Sequence, residues 1–430
     1  MKYLVAVLWL AACSSDGNRT ITDAPTAPDP DGAVLPGDEL QTPVTVQTVP
    51  AIAGESVYFQ NADSSLVAKV VTDASGRAST VMAAGGFATI VHTIPGDNPG
   101  DPPTYRLYTW SGVLPGDVIQ VKPGGGEGTV TQPTTFTVKL PVAANGKTYD
   151  VTPTCGNASV TPPTGMATTF TAAISSTCAK LDLMVIARAT NNALVSSFVV
   201  PDITVAAGVT VDLSASTYAP PVSRQITVSH WAGTALHGNT YIETSLPIYY
   251  DNLTLASGDP STTSQTLPAK PTTHRDVTWI YGTAQSSTQY VYQWGEDGNL
   301  SIDWSTDATP AFSSTISYDT ASHTASWTKA TGGATVNAAG IALYPMRANY
   351  AFQWNAYGAS STSVALPVLP TDIADFSITN ADTITYAIMA SVPGGYDALR
   401  PVIGLGEPYP PTSSATGKLA FTDYMAILAR

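Results

Sequence analysis

The chain has 430 residues, only 12% of them charged, and a formal net charge of −14 at pH 7. Its 18 Lys and Arg are scattered and form no basic stripe, which argues against nucleic acid as a partner and against electrostatic recognition of anionic lipid. At about 150 residues per domain, or about 100 for β-sandwiches, the length divides into three or four cores.

Residues 1–12, MKYLVAVLWLAA, place Lys2 ahead of an apolar run too short to span a bilayer. They end in the junction Leu10-Ala11-Ala12-Cys13. That junction resembles the lipobox of bacterial lipoproteins, a Leu and two small residues before the Cys that is lipidated. The competing readings are an ordinary secretory signal and a chance Cys beside an apolar run. The resemblance implies cleavage before Cys13, acylation of Cys13 with chains such as palmitate, and a membrane attachment made through this N-terminal lipid. In the sorting pattern of that family, Ser14 and Ser15 with no Asp directly after the Cys imply the outer membrane, with the body periplasmic or surface-exposed. No later run approaches the ~20 apolar residues of a spanning helix.

Residues 13–49 are rich in Pro, Thr, Asp and Gly without a sustained period, and read as a disordered linker. From 50 to 123 short alternating runs (LVAKVVT, FATIVHTI, TYRLYTW, DVIQV) are separated by Ser75-Gly76, Gly85-Gly86 and Pro115-Gly116-Asp117. This is the pattern of a sandwich. The stretch SVYFQNADSSLVAKVVTDASGRAST…GGFATIV resembles bacterial Ig-like and carboxypeptidase-regulatory-like modules, which implies a non-catalytic spacer or binding domain.

A second β-sandwich is expected over 124–220. Asn145-Gly146 between TTFTVKLPV and KTYDVTPT predicts a hairpin, and LDLMVIARA alternates with Leu181, Leu183, Val185 and Ala187 on one side. With Cys13 consumed by lipid, Cys155 and Cys178 remain. An even pair in an exported chain predicts a disulfide, contributing about 3 kcal/mol for a loop of this size. A metal pair is the alternative, without the Cys-x-x-Cys spacing zinc prefers.

Residues 221–308 form an aromatic-rich β domain. QYVYQW, GEDGN and LSIDW predict a hairpin in which Tyr290, Tyr292 and Trp294 share one buried face with Leu300, Ile302 and Trp304. Val291, Gln293, Ser301 and Asp303 would make the polar side. The last block, 309–430, carries Trp327 in TISYDTASHTASWTKATG and Tyr350 in ANYAFQWNAYG. It weakly resembles a fibronectin type III-like domain, with too short an interval for a full set of strands; a generic β-sandwich is expected. The whole reads as an all-β chain of tandem sandwiches behind a lipoprotein signal, similar to Gram-negative envelope lipoproteins that carry such modules.

Chemistry is sparse. The elbow, zincin, phosphate-loop and dinucleotide motifs are absent. Ser326 and Lys329 match Ser-x-x-Lys, yet they sit in a strand pattern, which sends them to opposite faces. Among His92, His230, His237, His274 and His323, only His230 and His237 are close enough for a loop metal site, with Asp251 or Glu243; exposed loop histidines are the simpler reading. His274-Arg275-Asp276 does not converge on an extended chain. Asp97 to Asp101 and Glu296 to Asn299 could hold calcium through loop oxygens, or be plain turns. No cofactor and no catalytic residue is assigned. Three functions stay open: a structural, adhesive or scaffold protein of the envelope, a carbohydrate-binding surface centred on the aromatic block, and a hydrolase whose two carboxylates are brought together by the fold. A protein or a polysaccharide is the expected ligand.

Overall fold

The computed structural model describes residues 42–96, 101–122, 132–233, 236–244, 247–255, 258–270, 275–284, 287–295, 298–345, 347, 350–379, 382, 384–404 and 417–425. The signal, Cys13 and most of the linker lie outside the described residues. The fold is all-β: strands in several sheets dominate, with two short α-helices and one 3-10 turn among the described residues. Chain contacts divide it into two compact units.

One unit holds 132–219 together with 244–248. A four-stranded sheet runs in the order Asn157–Thr161, Thr169–Ser176, Thr134–Pro141, Thr210–Asp212; its three-stranded partner runs Leu194–Thr204, Lys180–Arg188, Thr148–Pro153. Leu181, Leu183, Val185 and Ala187 point together into a core with Phe136, Val138, Leu140, Phe170 and Ile174. The expected hairpin at Asn145-Gly146 is corrected. Thr134–Pro141 pairs with Thr169–Ser176, whereas Thr148–Pro153 pairs with Lys180–Arg188, so the turn carries the chain between sheets. Asn145 adopts φ +64°, which Asn tolerates in a turn of either kind. Cys155 and Cys178 are disulfide-bonded, with Cα atoms 6.2 Å apart. Each sits where the chain passes from one sheet to the other, so the bond ties two crossings together.

The other unit draws on 41–131, 220–243 and 249–430. The blocks 50–123, 221–308 and 309–430 are therefore not separate sandwiches. Their strands share a twelve-stranded sheet: Pro247–Leu255, Leu236–Glu243, Arg275–Ala284, Ser287–Trp294, Gly417–Met425, Ile384–Ser391, Ala338–Leu343, Ala351–Gly358, Thr104–Val113, Gly86–Ile94, Ser56–Gln60, Leu66–Val71. The joint between early and late strands is a parallel pairing, Thr104 opposite Ala351 through Trp110 opposite Tyr357.

Three small sheets pack onto the long one. On the face that carries Val291, the sheet of Ser261–Leu267, Val222–Ser229 and Leu300–Asp303 encloses Ile226, Val228, Ile280, Leu300 and Ile302. On the same face, the sheet of Ser317–Asp319, Thr324–Ser326 and Ser363–Ala365 contributes Ala325 and Val364 to a core with Leu107, Ile341, Trp354 and Met389. On the opposite face, which carries Tyr292, the sheet of Arg77–Thr80, Val44–Thr48 and Val118–Val121 covers Val57, Phe59, Ile90 and Trp110. Next to it Tyr396 and Leu399 of the helix Gly395–Leu399 rest on Trp294, Ala390 and Leu419.

The aromatic hairpin is corrected too. Ser287–Trp294 pairs with Arg275–Ala284 and Gly417–Met425, while Leu300–Asp303 pairs in parallel with Val222–Ser229 in the covering sheet. Gly295, at φ +84°, is where the chain leaves the long sheet. Leu300 and Ile302 consequently meet Val291, the residue assigned to the polar side, and not Tyr290 or Tyr292. Crossing over gives two short apolar stretches full burial, which a two-stranded hairpin could not supply.

Candidate functional site: an aromatic strip on the long sheet

Beyond the helix Gly395–Leu399, the Tyr292 face continues across five neighbouring strands, about 19 Å at the usual strand spacing. Cross-strand register puts His237 beside Tyr281, Asn239 beside Trp279, Trp279 beside Tyr292, Tyr281 beside Tyr290, and Tyr290 beside Phe421. Side chains directly opposite on neighbouring strands share a face, so these residues form a strip. Tyr241, Trp279, Tyr281, Tyr290 and Tyr292 are half-buried, Phe421 is buried, and Tyr250 at the sheet edge is 49% exposed.

Trp279 is the centre. Its ring lies 5.1 Å from Tyr281, 5.7 Å from Tyr290 and 5.6 Å from Tyr292, with interplanar angles of 15–23°. Tyr290 stacks on Phe421 at 4.3 Å and 20°, and Tyr292 on the same ring at 5.5 Å and 27°. The rings therefore share one orientation, each pair adding about 0.5–1.5 kcal/mol beyond its area burial. A polar group fixes the indole. With its amide turned to satisfy its neighbours, Asn239 accepts from Trp279 Nε1 (3.2 Å) and donates to Asn252 Oδ1 (2.6 Å). Tyr250 Oη donates to the same Asn252 oxygen at 2.7 Å.

Asp423 closes the strip. It accepts from the Thr288 backbone N–H (3.1 Å) and from Tyr290 Oη (3.3 Å), and burial pushes its carboxyl above the usual carboxylate range. Burial, with Asp423 nearby, also pushes the Tyr290 hydroxyl up, so this end of the strip favours its neutral forms.

The reverse side of the same strands is tied by a buried polar network. Arg224 donates to Gln265 Oε1 (2.8 Å), Thr240 (2.8 Å) and Thr278 (2.6 Å), and its Nη1 lies 3.8 Å from Asp276. Lys270 also pairs with Asp276. This buried network ties Val222–Ser229 and Ser261–Leu267 of the covering sheet to Leu236–Glu243 and Arg275–Ala284 of the long one.

The other residues singled out in the sequence do not converge. His230 donates its backbone N–H to Asp259 (2.8 Å), and its Nδ1 lies 2.8 Å from Asp303; the neighbouring Asp303 carboxylate pushes this exposed imidazole up. His237 lies on the aromatic strip, 5.6 Å from the Tyr281 ring, so the pair does not share a metal. Asp251 accepts from Gln265 in the buried network (3.0 Å), and the Glu243 side chain lies outside the described residues. No group of three or more metal-binding side chains occurs among the described residues. His274, Asp97 to Gly100, Glu296 and Asp297 lie outside them. Asn299 accepts from the Gln225 backbone, and Ser326 is paired with Ser317 across a short strand pair while Lys329 bridges to Phe312. Two features escaped the sequence reading. One is the contribution of Trp279 and Phe421 to a ring stack spanning strands far apart in the chain. The other is His92, buried and 2.9 Å from Glu55. Only the period-2 placement of Trp279 and Tyr281 in TWIYG hinted at the first.

No family model and no curated protein matches the chain. Among solved structures, the Bacillus anthracis TIE protein is similar at 8% identity and a TM-score of 0.14, over 61% of this chain and 50% of that one. The product complex of SpuA, a multi-modular glycogen-degrading pneumococcal virulence factor, is similar at 8% identity and a TM-score of 0.14, over 65% of this chain and 38% of that one. The chain thus spans half or less of the length of these proteins, and likenesses at this level carry no argument.

Proposed function

We propose that this chain is an exported, non-catalytic binding protein, tethered to the outer membrane through acylated Cys13, whose aromatic strip takes an uncharged stretch of polysaccharide. The observation that supports this reading is the shared orientation of the half-buried rings of Trp279, Tyr281, Tyr290 and Tyr292. A run of stacked, half-buried rings presents a row of apolar ring edges along which a regular polymer can lie. The hydroxyl of Tyr250, 49% exposed, and the amide of exposed Asn252 supply neutral hydrogen-bonding groups beside it. The net charge of −14 disfavours anionic polymers, which leaves neutral ones.

Titration calorimetry of the purified protein against dextran, a mixed-linkage β-glucan and xylan tests the ligand. At least one neutral polymer is expected to bind, and Trp279→Ala, shown folded by circular dichroism, is expected to lose that binding. Unchanged binding in Trp279→Ala would remove the strip from the proposal; binding of none of the neutral polymers would remove the polysaccharide. The tether is tested separately by metabolic labelling with a fatty-acid probe. Wild type should be tagged and Cys13→Ser should not; equal labelling would refute the lipid.

A further inference from the structure

On the Val291 face, far along the sheet from the strip, a cleft of about 440 Å³ opens between the sheet and the 3-10 turn Thr371–Phe376. Ser56, Tyr58, Val91, Thr93 and Tyr105 form its sheet side; the turn brings Asp372, Ile373, Asp375 and Phe376; Tyr350 and the 53–55 loop complete the wall. The size is that of a small-molecule site.

Three rings meet in it as a corner. Tyr105 lies 4.9 Å from Phe376 at 55° and 5.7 Å from Tyr350 at 85°, and Tyr350 lies 5.6 Å from Phe376 at 80°. All three rings line the cleft at steep angles to one another, in contrast to the parallel rings of the strip, and aromatic walls of this kind attract cations. Every charged side chain in the lining is a carboxylate: Glu55, Asp372 and Asp375. The rim already contains an example of what such a wall attracts. The Lys69 ammonium sits 5.2 Å from the Tyr58 ring centroid and 2.6 Å from Asp372.

We infer that this cleft binds a compact organic cation, a quaternary or alkyl ammonium bearing no anionic group. The ring corner takes the cation and its apolar substituents, and exposed Asp375 sets the sign of the charge, since Glu55 is held by His92 and Asp372 by Lys69. A phosphate or carboxylate on the same ligand would be repelled by Asp375.

Calorimetry with choline, its uncharged isostere 3,3-dimethylbutan-1-ol, and glycine betaine tests the inference. Choline is expected to bind with a dissociation constant of about 1 mM or tighter. The isostere and betaine are expected to be weaker by about tenfold or more. Asp375→Asn changes an exposed side chain and Phe376→Leu keeps an apolar group in the core; each is expected to weaken choline by about tenfold, with the melting profile reported alongside. Trp279→Ala should leave choline binding unchanged, which separates this site from the strip. Equal affinity for choline and its isostere, no heat with choline at about 10 mM, or loss of choline binding in Trp279→Ala would each overturn the inference.

Discussion

The two faces of the strand Ser287–Trp294 differ in a way its sequence barely shows. Val291 is fully buried beneath Leu300 and Ile302, in a core closed by a second sheet. Tyr290 and Tyr292, one residue away on either side, are half-buried and find cover mainly in other rings of the same sheet. Trp294, on the tyrosines' side, is fully buried because the helix Gly395–Leu399 reaches it. What separates core from surface here is which later segment lies above each residue. Side-chain type does not decide it, since the largest aromatic residues appear in both settings.

Substitutions can break that contrast in order of expected effect. Trp294→Ala should be the most damaging, at about 3–5 kcal/mol, because the ring fills space against Gly417, where even a Cβ would approach it to 2.1 Å. Ile302→Ala on the Val291 side should cost about 2–5 kcal/mol. Urea unfolding of both variants checks this; a loss below about 1 kcal/mol for Trp294→Ala would mean the helix does not cover it. Tyr292→Ala should cost about 2 kcal/mol, about 1 from half the area value of a buried ring and about 0.5 from each of its two stacked pairs, while abolishing binding of the neutral polymer. A loss as large as that of Trp294→Ala would make the strip core after all.

Asp423→Asn should have the smallest effect, and it should depend on pH. The Asp423 carboxyl is raised by burial, so its neutral form is the one the fold favours. Its stabilising contribution is complete below the unfolded carboxylate value of about 3.9 and is lost as pH rises through the folded value. The Asn variant, neutral throughout, should be slightly more stable than wild type at pH 7, and the gain should vanish at pH 3. Melting curves at the two pH values decide it; an equal difference at both would deny the raised carboxyl.

The sequence made the strands legible and left their partners hidden. Alternation in LDLMVIARA and in QYVYQW marks strands because side-chain direction is a local property. Asn145-Gly146 and the GEDGN turn were read as hairpins because the residues that reverse a chain within a sheet also serve when it crosses to another. The choice is made by distant segments, by Thr169–Ser176 in one case and Val222–Ser229 in the other. The disulfide was legible by cysteine count alone. The ring strip was half legible: Tyr290 and Tyr292 stood out, but Trp279 and Phe421 join them only through pairing across three strands. The ammonium cleft was invisible, since its lining comes from residues 53–58, 91–105 and 350–376.

The parallel pairing of Thr104–Val113 with Ala351–Gly358 has a consequence for the order in which the molecule can be made. A chain emerging from the ribosome presents the first of these strands about 240 residues before the second. In that interval the 132–219 unit can complete its own two sheets, while the earlier strands wait with an unpaired edge and with Leu107 lacking its later cover. Residues 42–122 are therefore half of a structure, however much they look like a module. A nascent chain of this design gains from being kept extended until its last third arrives, and contacts of such long range make the final closure slow.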